Sequence, residues 1–316
     1  KIFKKFENSF KIDTNFIVAV SGGADSLALA FLTKVYALKK NLNPRYFIVD
    51  HKLRKESTYE AYKVKKILKS LKINSQVLTW KGKKPVSNIQ SLARSKRYEL
   101  LFLKCKKLKI SNLVLGHHID DVIENFFLRM ARGSGLKGLV SLGTNTQIEN
   151  INLIRPLIEF DKRDLIFLSK FIFNFYVDDP TNDDIKFNRI KVRNLIKRFE
   201  DFGLDKKKFQ LTIENLKKSD QSIKFYVEKN KRVNSIFNYE KNQLILKENF
   251  FDNSHEIIFR SFSDLIHLVG KKPNFVRGKK IENILNKIKE RNLRKETLGG
   301  CVIKMVNHTV ILTKEG

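Results

Sequence analysis

Cysteine is scarce in this chain. Cys105 and Cys301 are the two it has in 316 residues, far apart in sequence. That excludes a disulfide framework and a zinc knuckle, and a reducing cytoplasm is the expected setting. Long apolar runs are also missing. None approaches the ~20 residues that span a bilayer, so no membrane partner is expected. The opening, Lys1 to Lys11, is charged and lacks an apolar stretch with a small-residue cleavage site, so no signal peptide is read there. Negative charge is short as well. Against 63 Lys and Arg stand 33 Asp and Glu, a formal net charge of +30. Such an excess points to a polyanionic partner, and nucleic acid is the obvious one. A blander origin competes, since Lys, Asn, Ile and Phe are all abundant and AT-rich codons favour that set. Even halved, the excess would be large for an enzyme handling only small metabolites. At 316 residues the chain is long enough for one large or two ordinary domains, and 42% hydrophobic residues fit a globular protein with ample core.

What is present begins with Ser21-Gly22-Gly23-Ala24-Asp25-Ser26. Upstream, Phe16 to Val20 reads as a buried strand; downstream, Leu27 to Leu32 starts a helix. A strand that breaks at Gly-Gly and re-enters as a helix leaves unpaired N–H groups and the positive dipole end at one spot, which suits phosphate. Ser21 and Ser26 can add hydroxyl donors, and the glycines admit close approach. Asp25 would repel a phosphate unless Mg²⁺ bridges the two, so the loop suggests a nucleotide–metal site. No Gly-Lys-Ser/Thr closes it, which excludes a Walker A loop. The plainer alternative is a glycine turn with Asp25 as a helix cap.

The first half alternates strands (Tyr46 to Asp50, Gln76 to Trp80, Asn112 to Gly116) with helices, among them a long one over Asn88 to Leu108. Alternation of this kind predicts an α/β fold, a parallel sheet with helices on both faces. Ligands then sit beyond the carboxyl ends of the strands, where Ser21, Asp50-His51 and Gly116-His117 converge. The second half reads as helices over Asp161 to Phe173 and Phe187 to Phe199, broken ones to about Val233, and a hairpin around Asn307-His308. The expected domains are 1–197 and, after a basic polar stretch, a smaller mostly helical one at 198–316 that ends in the hairpin.

Gly116-His117-His118-Ile119-Asp120-Asp121-Val122-Ile123-Glu124 runs from a strand end into a helix. Asp121 and Glu124 share a helix face. Two carboxylates and the His117 imidazole at a nucleotide crevice could bind Mg²⁺, orient an amine or take a proton. Zinc on His117, His118 and Asp121 would lack a further His or Cys nearby. The aspartates could also merely stabilise a helix N-terminus, worth ~0.3–1 kcal/mol. Gly133-Ser134-Gly135-Leu136-Lys137-Gly138 matches a dinucleotide fingerprint but follows a helix, which removes that reading. With Arg129, Arg132 and Lys137 around it, it reads as a loop that touches phosphate or serves as a lid. Arg94 and Arg97 share a helix face, either toward phosphate or as a solvated stripe. Arg155-Pro156-Leu157 and the acidic run Asp178 to Asp184 are weak signals alone.

In order, Ser21 to Ser26, Val49-Asp50-His51-Lys52-Leu53-Arg54, Ala93-Arg94 with Arg97-Tyr98, Gly116-His117-His118 through Glu124, Arg132-Gly133-Ser134-Gly135, Arg155-Pro156-Leu157, and Asp179-Pro180-Thr181-Asn182 with Asn188-Arg189 and Arg193-Asn194 resemble the tRNA(Ile)-lysidine synthase family of PP-loop ATP pyrophosphatases. The resemblance covers about residues 15 to 195 and is fainter beyond, resting there on Leu298-Gly299-Gly300-Cys301. Gln90 stands where the family usually has an acidic residue, and Ile190 interrupts its Arg-Asn pairing. The resemblance implies a PP-loop nucleotide-binding fold and a ligase. ATP would adenylylate C2–O of the wobble cytidine in a CAU-anticodon isoleucine tRNA, and free L-lysine would then displace AMP. The product lysidine pairs with A, shifting codon reading from AUG to AUA. It further implies ATP on Ser21, Gly22, Gly23, Ala24, Asp25, Ser26, Asp50, His51, Arg97 and Gly116. Mg²⁺ would sit on Asp25 and Asp121, catalysis would fall to Asp25, His117, Asp121 and Glu124, and Arg94, Arg132, Lys137, Arg189 and Arg193 would meet phosphate. The rival expectations are a PP-loop tRNA thiolase and a non-catalytic RNA-binding protein. The oligomeric state stays open, a homodimer included.

Overall fold

The computed structural model describes residues 1–82, 89–177 and 188–316. The acidic run Asp178 to Asp184, and Asn88 at the expected start of the long helix, lie outside the described residues. The chain forms two compact units, Lys1–Ile213 and Glu214–Gly316.

In the first unit, β1 (Phe16–Val20), β2 (Arg45–Asp50), β3 (Ser75–Thr79), β4 (Asn112–Val114), β5 (Asn145–Ile148) and β6 (Ile151–Ile154) form one sheet of order β3-β2-β1-β4-β6-β5. All neighbours are parallel except β5, which pairs with β6 as a hairpin. That hairpin is an addition to the strand alternation expected from sequence; β5 is mostly exposed and polar, so it carries little apolar signal. Alternate β1 side chains face opposite sides of the sheet. Phe16, Val18 and Val20 enter a core with Phe6 of α1 (Ile2–Ser9), Leu27 and Leu29 of α2 (Ala24–Lys40), Val64 and Leu68 of α3 (Ser57–Ser70) and Leu165 of α7 (Lys162–Phe173). Ile17 faces the other side, toward Leu101 and Cys105 of α4 (Ile89–Leu108). Burial on both faces explains why β1 reads as an unbroken apolar run. The strand order reverses between β1 and β4, so the ends of those two strands bound the crevice where such sheets bind ligands.

Beyond β4 follow α5 (Ile119–Met130), α6 (Leu136–Leu139) and, after α7, α8 (Asn188–Asp201). The broken helices expected up to Val233 are one continuous helix of 29 residues, α9 (Lys206–Asn234). It holds no proline or glycine that would interrupt it. The second unit sets α10 (His255–Gly270) and α11 (Gly278–Lys289) on a five-stranded antiparallel sheet, and their side chains share one core. Its strands are β7 (Ser235–Asn238), β8 (Gln243–Leu246), β9 (Lys295–Leu298), β10 (Cys301–Val306) and β11 (Thr309–Lys314), in the order β7-β8-β11-β10-β9. The expected hairpin is β10–β11, turning at Asn307 with φ 53°. It is thus the centre of a sheet, and Cys301, Ile303, Val310 and Leu312 make its buried face. No helix among the described residues is long and apolar enough to cross a membrane.

Candidate active site

The loop between β1 and α2 is organised by Ser26. Its hydroxyl accepts from the backbone N–H groups of Ser21 and Gly22 and from Ser21 Oγ, each at 3.1 Å, and donates to the Gly23 carbonyl at 2.9 Å. Ser26 thus shapes the loop, and Ser21 Oγ points inward with it. The donors left are the first N–H groups of α2, from Gly23, Ala24 and Asp25, which an α-helix cannot satisfy internally. Gly22 has φ 91°, and a Cβ there would stand 2.7 Å from Val64 Cγ2. Two long-range bonds brace the loop: Val177 N–H donates to the Gly22 carbonyl at 3.0 Å, and Ser169 Oγ to the Ala24 carbonyl at 2.6 Å.

Gly116 carries the end of β4 against this loop. A Cβ at Gly116 would lie 3.3 Å from the backbone C and O of Asp25 and from Ser26 Cα. Its role is close backbone approach. Two residues on, His118 caps α5: its Nδ1 accepts from Asp120 N–H at 3.3 Å, while its own N–H donates to Asp121 Oδ2 at 3.0 Å. The same ring turns Nε2 toward Asp25 Oδ2 at 3.5 Å and Asp121 Oδ2 at 3.7 Å. Burial would lower the His118 pKa, but the hydrogen bond to Asp25 and the charges of Asp121, Asp25 and Asp120 push it up to about 9. A protonated ring can no longer accept at Nδ1, which then has Asp120 Oδ2 at 3.8 Å as its counter-charge. One imidazole thus ties the glycine loop to the α5 carboxylates.

His117 behaves oppositely. Burial, helped by Arg155, Arg97 and Arg94 and opposed by Asp121, lowers its pKa to about 3, so it is neutral at pH 7. Burial opposes ionisation of Asp121, yet His118, His117 and the His118 N–H together hold its carboxyl below the usual range. Glu124 is buried on the next turn and takes Arg193 Nε of α8 on Oε1. Burial outweighs Arg193 and raises the Glu124 pKa. Asp120 is bound by Lys206 Nζ at 2.8 Å, which also holds Glu200 at 2.9 Å.

The expected site residues separate into groups. Asp25, His117, Asp121 and Glu124 come together at the ends of β1 and β4, with Arg97 bearing on His117, Arg189 on Asp121 and Glu124, and Arg193 on Glu124. Arg94 joins Arg97 around Tyr98. Asp50 is turned into its own loop: it accepts from Lys52 N–H at 2.9 Å, Ser57 Oγ at 3.1 Å and Thr58 Oγ1 at 2.8 Å, fixing the start of α3. His51 follows, its pKa lowered to about 4 by burial and Arg97. Arg132 and Lys137 are exposed after α5. His118, Tyr98 and Arg155 stand in the motifs read from sequence but were assigned no place in the nucleotide site, and Lys206 stands in none. For His118 the signal was present, since the second histidine of the pair immediately precedes α5 at the N-cap.

Asp25 Oδ1 is buried and has no hydrogen-bond partner among the described residues. An orphaned, buried carboxylate oxygen facing a phosphate-type loop fits a hard cation such as Mg²⁺. Among the described residues no three His, Cys, Asp or Glu side chains form a ready metal cage. An ion held by Asp25 and Asp121 would therefore need phosphate oxygens and water to complete its shell.

The chain is similar to known proteins. A model of the PP-loop domain, an ATP-binding family, matches residues 1–199. A tRNA(Ile)-lysidine synthase of Orientia tsutsugamushi (strain Boryong) is 33% identical over 323 residues, spanning 97% of this chain and 71% of that protein. One of Rickettsia akari (strain Hartford) is 32% identical over 326 residues, spanning 99% of this chain and 74% of that protein. Among solved structures, the U34-tRNA thiolase NcsA from Methanococcus maripaludis with its 4Fe-4S cluster aligns with a TM-score of 0.59 at 18% identity. It covers 68% of this chain and 76% of that one, and at such identity speaks for the fold alone. Matched by the PP-loop domain model and by such relatives over nearly its whole length, this chain belongs to the tRNA(Ile)-lysidine synthase family.

Proposed function

We propose that this ligase joins the ε-amine of free L-lysine to C2 of the wobble cytidine in the CAU anticodon of tRNA(Ile), consuming ATP. The cytidine leaves the anticodon stack to reach the crevice, as bases that undergo chemistry generally must. Its C2 carbonyl oxygen attacks the α-phosphorus of ATP, and pyrophosphate departs from the helix N-terminus at Gly23 to Asp25. Lysine then attacks C2, and the C2–O bond breaks as AMP leaves with that oxygen. Mg²⁺, when bound by Asp25 and Asp121, would neutralise charge on the departing pyrophosphate. Asp121, held ionised, receives the lysine ammonium, and with Glu124 supplies the carboxylates through which the amine sheds its proton. His117 stays neutral and acts by hydrogen bonding rather than as a base. Arg97, Arg189 and Arg193 offset phosphate charge.

The observation that carries this reading is the convergence of Asp25 with Asp121 through His118, from segments far apart in sequence. A phosphate-activating loop and an amine-binding carboxylate pair then share one crevice. Sulfur transfer is disfavoured by the cysteines. Both are free and buried, and burial pushes both thiols up to about 11, so thiolate is scarce at pH 7. The net charge of +30 suits a tRNA substrate. The deciding assay follows pyrophosphate release with ATP, Mg²⁺, lysine and CAU-anticodon tRNA(Ile), with nucleoside mass spectrometry of the product. Lysine-dependent formation of lysidine is expected. Tight tRNA binding without release would reduce the protein to an RNA binder, and release that requires a sulfur donor would make it a thiolase.

A further inference from the structure

Three guanidinium groups gather around one phenol. Arg94 Nη2 donates to Tyr98 Oη at 3.2 Å, one turn away on α4. The guanidinium carbons of Arg94 and Arg97 stand 5.1 and 5.6 Å from the Tyr98 ring centroid. Arg155, at the end of β6, brings a third guanidinium to the same hydroxyl. Its Nη1 is fastened to the Gly143 carbonyl and Thr146 Oγ1, 2.9 Å each, so it is a rigid post of the β5–β6 hairpin.

Like charges do not assemble unaided. Arg155 is 4% exposed, and burial lowers the pKa of both Arg155 and Arg97. The Nε atoms of Arg97 and Arg155 are buried with no acceptor among the described residues. Asp121 bears on Arg155 but is already engaged by His118. Fixed guanidinium forks with donors to spare match the oxygens of a phosphoryl group. The cluster also faces the crevice, because Arg97 bears on His51 beyond β2 and on His117 beyond β4.

We propose that Tyr98 is a positioning residue which, with Arg155, holds Arg94 and Arg97 together as one phosphoryl-binding pocket at the edge of the nucleotide crevice. The hydroxyl supplies a shared hydrogen-bond partner and the ring face a neutral surface for the two α4 cations. The inference rests on the nucleotide reading of the glycine loop, and the phosphoryl group belongs either to ATP or to the RNA backbone.

The test uses Tyr98→Phe in the full chain, which keeps the ring and removes the hydroxyl. Calorimetric titration with a non-hydrolysable ATP analogue should show affinity weakened about tenfold, the size expected for hydrogen bonds to charged groups. KM for ATP should rise by a similar factor, with a smaller change in kcat and an unchanged melting temperature. Arg155→Lys, which keeps the charge and loses the fork, should act in the same direction. The double variant should lose little more than either single one, since the residues work as a unit. Weakened tRNA binding with unchanged analogue binding would support the pocket and assign it to RNA phosphate. Folded variants that bind both ligands like the parent, or losses that add in the double variant, would overturn the proposal. A parent protein that fails to bind the analogue would instead overturn the nucleotide reading.

Discussion

Arg193→Ala tests how the site keeps a carboxylate in its floor. Glu124 retains 5% of its side-chain exposure and Arg193 33%. Removing one partner of a buried ion pair costs ~3–5 kcal/mol, because the remaining charge stays buried and unpaired. The partial exposure of Arg193 places the expected loss at the low end, about 3 kcal/mol. For a unit of this size that is a fall of roughly 6–12 °C in melting temperature, at ~2–4 °C per kcal/mol. The pH dependence carries the sharper information. Glu124 already has a raised pKa in the folded protein, and losing Arg193 raises it further. A carboxyl whose folded pKa exceeds its unfolded one holds more protons when folded, so stability falls as pH rises between the two values. The slope is at most ~1.4 kcal/mol per pH unit for one group. The variant should therefore lie closer to the parent at pH 5 than at pH 8. Adding Glu124→Gln, which removes the stranded charge, should recover part of the loss at pH 8. Thermal melts of the parent, single and double variants at both pH values measure all of this. An Arg193→Ala deficit that is equal at pH 5 and pH 8, and untouched by Glu124→Gln, would refute the paired-carboxylate account.

Further outcomes follow from the same geometry. Asp25→Ala should abolish pyrophosphate release while filter binding still detects tRNA; retained turnover would remove Asp25 from the metal role. Gly116→Ala places a methyl 3.3 Å from the Asp25 and Ser26 backbone, which cannot swing aside as a side chain can. It should cost ~1–3 kcal/mol in stability and lower turnover by about 100-fold through a displaced loop; a fully active variant would show that the loop tolerates the shift. The affinity for tRNA should fall steeply with salt, with a log–log slope equivalent to several phosphate contacts, whereas a flat response would make the +30 charge decorative. Cys105→Ala and Cys301→Ala together should leave lysidine formation intact, measured by nucleoside mass spectrometry. Loss of turnover in a folded double variant would reopen sulfur chemistry.

How much of this was legible depends on whether the governing forces are local. The glycine loop was, because strand, bend and helix are neighbours in the chain and each has its own pattern. The α5 carboxylates were, because helical spacing sets Asp121 and Glu124 on one face whatever surrounds them. The second sheet was not, since β7, β8 and β9 are four residues each and the β7–β8 hairpin joins the rest only through β8 pairing with β11, more than sixty residues on. The hydrogen bonds that Ser26 and Asp50 make within their own loops were not legible for a related reason. Both are polar residues at a phosphate-binding edge, and nothing in sequence tells whether such a group turns outward or is consumed by its own loop. The two histidines were also indistinguishable by motif. His118 is raised by three carboxylates around it, and His117 is lowered by burial among arginines.

By itself, then, the order of residues determined the parallel α/β scaffold, the anion-attracting bend, the acidic helix start and an excess of positive charge. These follow from periodicity, backbone freedom and composition, which need no distant partner. Folding decided which histidine bridges Asp25 to Asp121, which carboxylate Arg193 neutralises, and that three arginines meet on Tyr98. Those outcomes depend on which surfaces lose water together, and only packing in three dimensions sets that.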